Sequence, residues 1–127
     1  MAAGISGYLA NKLLDATCNA TAFSASAVYV QLHIGAPGAN GTSNTATETA
    51  RKACSFSAAS AGAIASDADV TWTNITGSQT ATYFTAWDAS TAGNFLFSGS
   101  ITGNPYTAGD TYLIPSGSLT ASLTIAS

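Results

Sequence analysis

The sequence predicts a mainly β protein: an antiparallel β-sandwich or jelly-roll-like domain with one short α-helix at its N-terminus. Three observations carry this. Apolar and polar residues alternate in VYVQLHI (28–34) and in SLTASLTIA (118–126), the period of a strand with one face in a core. Gly, Asn, Asp and Pro recur between such runs at short intervals, which suits tight connections. Charged residues make up only 7 % of the chain, too few for the solvated faces of long surface helices.

The elements follow in order. Residues 6–17 read as the helix, capped by Ser6, with Tyr8, Leu9, Leu13 and Ala16 at helical spacing and Lys12 and Asp15 off that face. It is expected to end near Cys18–Asn19. In the strand 28–34, Val28, Val30, Leu32 and Ile34 take the core face, and Tyr29, Gln31 and His33 the polar one. GAPGANGTSNTATET (35–49) reads as a long exposed loop, a common place for contacts. RKACSFSAA (51–59) fits a strand, and GAIASDADVTWTNI (62–75) two short extended pieces about a turn at Ser66–Asp67. TATYFTAWDA (80–89) and GNFLFSGSI (93–101) form the next pair. In the last strand, 118–126, Leu119, Ala121, Leu123 and Ile125 share the apolar face, which makes Leu123 a core residue. Turns are expected at Asn40–Gly41, Thr76–Ser78, Ala92–Asn94, Gly103–Pro105, Gly109–Asp110 and Pro115–Gly117. The 127 residues suit one domain, with a helical segment at 1–19 and the β-sandwich at 27–127.

Asp88, beside Trp87 in YFTAWDASTAGNFLFSGSI (83–101), poses the main chemical question. It opens the connection DASTAGN, where an Asp carboxylate accepts bonds from main-chain amides two residues on and fixes the turn. No His or second carboxylate lies nearby in sequence. A turn role is therefore expected rather than catalysis.

Composition narrows the function. The formal net charge is −3 and only Lys12, Arg51 and Lys52 are basic. No basic stripe exists to neutralise a phosphate backbone or an anionic bilayer, so neither nucleic acid nor membrane is an expected partner. The N-terminus lacks the charged and apolar regions of a signal peptide. His33 is the only histidine. Nothing in the sequence sets a nucleophile beside it, so no catalytic site is expected and His33 reads as a solvated or interface residue. One His and two distant Cys are too few for a zinc site. Asp67 and Asp69 in SDADVT fit a plain turn better than a calcium loop. Cys18 and Cys54 read as small buried side chains. Trp72, Trp87, Tyr29, Tyr83, Tyr106 and Tyr112 are enough for an aromatic sugar platform, but aromatics in a small sandwich more often fill the core or an interface.

The order of MAAGISGYLANKLLDATC, VYVQLHIGAP, YFTAWDASTAGNFLFSGSI and AGDTYLIPSGSLTASL resembles a family of small virion structural proteins of tailed phages, notably actinobacterial ones. Many of these are labelled tail-fibre proteins, and some decorate capsids. The resemblance spans nearly the whole chain. It implies a β-rich fold, a structural role without catalytic residues, and no cofactor; the matched Asp88, Gly93, Asn94, Gly109, Asp110 and Gly117 are turn formers. The expectation is a virion protein, assembled in the host bacterial cytoplasm, that joins the major capsid protein as a homotrimer and reinforces the head. A tail-fibre or tail-tip component, with a possible sugar-binding role, is the alternative. Capsid is favoured over tail because the chain carries no coiled-coil heptads and no shaft repeat. Candidate oligomer or capsid contacts are Ile5, Tyr8 and Leu9 in the N-terminal helical segment 1–19, Tyr29 and His33 on the polar strand face, and Asn40 and Thr42 in the loop.

Overall fold

The computed structural model describes residues 4–123 and 125–126. The chain is mainly β, with antiparallel pairing and one short helix, as expected. α1 (Gly7–Cys18) begins where the sequence places its cap. The Ser6 hydroxyl accepts the Leu9 N–H at 3.0 Å and donates to the Phe95 carbonyl at 2.6 Å. One side chain thus satisfies an orphan helix donor and ties the helix to the sheet.

The strands are β1 (Val28–His33), β2 (Lys52–Cys54), β3 (Ala63–Ala65), β4 (Val70–Trp72), β5 (Gln79–Trp87), β6 (Phe95–Tyr106), β7 (Tyr112–Ile114) and β8 (Thr120–Ser122). A four-stranded sheet has the order β2-β1-β5-β6, while β3 pairs with β8 and β4 with β7 as separate ladders. The ladders lie on one face of the large sheet. Val30, Leu32, Phe84 and Ala86 from that sheet share one buried cluster with Val70, Trp72, Ile114 and Leu119 from the ladders. The arrangement is sandwich-like, but the second layer is two short ladders instead of a continuous sheet.

On the opposite face of the large sheet, the segment 35–46 brings Gly41 against Phe95 and Ser43 against His33, and its end, 44–46, pairs along the edge of β1. Expected to be an exposed loop, this segment doubles back along β1. Ile34 donates to the Asn44 carbonyl and Ala46 to the Leu32 carbonyl, at 2.8 and 3.1 Å. Pro37, Gly41 and Ala46 are buried. Gly41 has φ +71°, and a Cβ there would stand 2.7 Å from the Phe95 ring. Only glycine permits this close approach.

Other expectations are corrected. Gly103–Pro105 is not a turn but part of β6, with Asn104 opposite Ala81 and Pro105 opposite Thr80. Pro is tolerated there because β6 is an edge strand. Only Lys52–Cys54 of the segment 51–59 is strand, with an isolated bridge at Phe56. Ile34 is 42 % exposed, since β1 ends at His33 before the backbone turns. Leu123 and Ile125 are 52 % and 60 % exposed: β8 ends at Ser122, and Leu119 has already closed the core at 0 % exposure. Thr124, on the expected polar face of that strand, lies outside the described residues. Cys18 is exposed and Cys54 half-buried, both as free thiols, so neither is the expected buried side chain. Trp72, Tyr106 and Tyr112 do fill the core, with Trp87 buried as well.

Candidate functional site

The hairpin tip that carries Asp88 is held by two charged residues. Asp88 accepts the Asn94 main-chain N–H at 2.7 Å and the Asn94 amide at 2.9 Å. These bonds, the main-chain one foremost, hold its carboxyl below the usual carboxylate range. Gly93 has φ +77°, and a Cβ there would sit 2.5 Å from Asp88 Oδ1. Arg51 reaches over the same tip. Its guanidinium lies 4.0 Å from the centroid of the Trp87 ring and donates to the Ala89 and Ala92 carbonyls at 3.0 and 2.6 Å. Asp88 is a turn residue, as its sequence context suggests, though its main-chain partner is Asn94, six residues on, rather than an amide two residues on.

Beneath the tip lies a polar cluster that the sequence does not reveal. His33 is completely buried, so the expectation of a solvated contact residue is overturned. The β1–β5 register sets His33 opposite Tyr83 and brings Thr85 within reach. His33 Nδ1 lies 2.8 Å from the Ser43 carbonyl and Nε2 2.9 Å from Thr85 Oγ1. A carbonyl only accepts, so Nδ1 carries the proton and Nε2 accepts from the Thr85 hydroxyl. Thr85 Oγ1 in turn accepts the Trp87 indole N–H at 2.8 Å. Burial pushes the His33 pKa down and keeps the ring neutral. A hydroxyl beside an oriented imidazole resembles a nucleophile–base pair. Here both side chains are 0 % exposed, so no substrate reaches them, and the cluster acts as a clamp between β1, β5 and the covering segment.

The remaining predicted contact residues separate. Asn40 and Thr42 are exposed at the tip of the covering segment, and Tyr29 is half-buried. Ile5 and Leu9 line an apolar groove of about 370 Å³ together with Leu13, Phe23 and Leu123. Tyr8 packs edge-on against Phe23 at 6.2 Å, beneath Lys12. No residue of α1 is fully buried, and Leu13 and Leu14 are 36 % and 63 % exposed. Asp67 accepts from Ser55, and Asp69 from the Ser116 N–H. No metal-binding cluster of His, Cys, Asp and Glu occurs among the described residues. Likewise no described helix is long and apolar enough to cross a membrane.

A family model described as podophage GP4 fiber I protein gp80 matches residues 4–122. No curated protein matches the chain.

Proposed function

Because the chain belongs to the podophage GP4 fiber I protein gp80 family, we propose that this virion structural protein is a non-enzymatic subunit of a tail fibre. The family match, running through helix, sheet and both ladders, carries the reading. The geometry is consistent with it: Asp88 is spent on a turn, and the His33–Thr85 pair is sealed. Capsid decoration, favoured by the sequence alone, has no comparable support, since the matching family is described as a fibre protein. The same reading includes self-association as a symmetric homo-oligomer, three copies being expected. It is supported by a low-charge surface and by the apolar groove along α1. Gold labelling of the protein on intact virions tests the location. Label on the tail is the expected result, and label spread over the head would return the protein to the capsid.

A further inference from the structure

We propose that the N-terminal arm, residues 4–18, is exchanged between copies of this chain: each copy lays its arm on the sheet of a second copy, in the seat that the arm takes on its own sheet here. The inference rests on the self-association in the reading above and is independent of where on the virion the protein sits.

The arm is held on β6 by ties that any copy can supply. Ser6 N–H donates to the Leu96 carbonyl at 2.8 Å, Ser98 N–H to the Gly4 carbonyl at 2.9 Å, and the Ser6 hydroxyl to the Phe95 carbonyl at 2.6 Å. Ile5 bridges Phe97, and Ile5 and Leu9 rest half-buried against the core. No residue of α1 is fully buried, so the arm lifts without opening that core. Every one of these bonds joins the arm to β6, and an identical arm from another copy remakes them all. The seat fits this segment, and a second copy is the partner that carries the same segment.

The hinge favours the exchange. Asn19, Ala20, Thr21 and Ala22 join the arm to the rest of the chain, and all four are exposed. Among the described residues, their main-chain N–H groups bond only back to α1: Asn19 and Thr21 both donate to the Asp15 carbonyl, at 2.9 and 3.2 Å. Here the chain reverses, so that Phe23 meets Tyr8. The reversal holds Ala20 at φ +51°, a left-handed conformation that crowds its Cβ and that glycine normally takes just past a helix. Ala61 and Ala92 also have positive φ, but each precedes a positive-φ glycine in a connection between two paired segments, which fixes it from both sides. Ala20 has a helix on one side and unpaired backbone on the other. When the hinge opens, Ala20 returns to an unstrained conformation, and Phe23 stays in its groove to receive an incoming α1. A short hinge under strain is the feature that invites such an exchange.

The closed arm also leaves its seat part-filled. The groove of about 370 Å³ between α1, β3 and β8 keeps Leu13 and Leu123 exposed on its walls. A second copy brought close by the exchange covers this surface, which a single chain leaves in water.

The test places Gly4→Cys and Ser100→Cys in a Cys18→Ser, Cys54→Ser background. Both new positions are exposed and line one groove between the arm, β6 and β8. The full chain, at a concentration where its solution mass is that of an oligomer, is treated with a short bis-maleimide and run on a denaturing gel. The expected result is chains linked to one another through positions 4 and 100, with a circular dichroism spectrum like that of the wild type. Links confined within single chains of an oligomeric sample overturn this inference alone. A wild type that is monomeric at every concentration overturns it together with the self-association reading. The hinge is read separately, by solution mass. Ala20→Gly should raise the fraction of monomer severalfold, because glycine takes the left-handed conformation without strain, and Ala20→Val should lower it. Equal fractions in all three proteins overturn the inference as well, while gold labelling judges the fibre assignment.

Discussion

His33 has no place for a second proton. Nδ1–H is committed to Ser43, and Nε2 accepts from Thr85, whose oxygen already takes the Trp87 N–H. A proton on Nε2 would point a donor at a hydroxyl oriented to donate, inside a desolvated site. The folded-state pKa lies below the ordinary 6.5, so the native protein binds fewer protons than the unfolded chain. The resulting stability is fully present above pH 6.5 and is lost as the pH falls through the folded value. Melting temperature should therefore decline on acidification below that point, and His33→Gln should flatten the decline. An equal slope in both proteins would refute the assignment. The two thiols should also behave differently. Burial pushes the Cys54 thiol up to about 11, while Cys18 is exposed at the end of α1. Near neutral pH a maleimide should label Cys18 first, and Cys18→Ser should remove most of the rapid labelling.

At the scale of elements, β8 separates burial from periodicity. Leu119 is 0 % exposed and Leu123 52 %, although both lie in the same alternating run. Leu119→Ala should cost about 2–5 kcal/mol, and Leu123→Ala about 0.5 kcal/mol or less for the folded monomer. Denaturation midpoints read both, and equal losses would show that the strand extends further over the core than Ser122. Ser6→Ala should cost about 0.5–2 kcal/mol, since it removes both the cap and the bond to Phe95. The helix, the strand cores and most turns were legible because each depends on local rules: a cap, a period, a left-handed glycine. Contacts set by register were not. Nothing local shows that His33 will meet Thr85, 52 residues away, or that 35–46 will lie back on β1. Gly103–Asn104–Pro105 misled for the same reason, since turn composition also suits an irregular edge strand. Tyr8, Leu9 and Leu13 could be placed on one apolar face from helical spacing, whereas Ile5 precedes α1 and pairs with Phe97 of β6, which only the sheet could show.

For the molecule as a whole, the question is whether the two faces of the large sheet stand or fall together. The ladder face belongs to a single buried cluster that includes Trp72. The opposite face is met by Gly41 and Ser43 of the segment 35–46 and holds Trp87, stacked under Arg51 and 5.4 Å from the Phe95 ring. The faces are not separable units, because β1 and β5 contribute to both. Leu32 and Phe84 point into the ladder cluster, while their neighbours His33 and Thr85 build the clamp. Removing the covering segment would leave buried polar groups of the clamp without partners, a cost felt by the same strands that hold the core. One cooperative transition is therefore expected, as for most single domains of this size. The check is urea unfolding of Trp72→Phe and Trp87→Phe, each followed by fluorescence of the remaining tryptophan and by far-ultraviolet circular dichroism at a fixed protein concentration. In each variant the two curves should coincide. If the Trp87 signal in Trp72→Phe is lost at lower urea than the dichroism, the clamp opens on its own, and the covering segment is a local unit laid on an independently stable sheet.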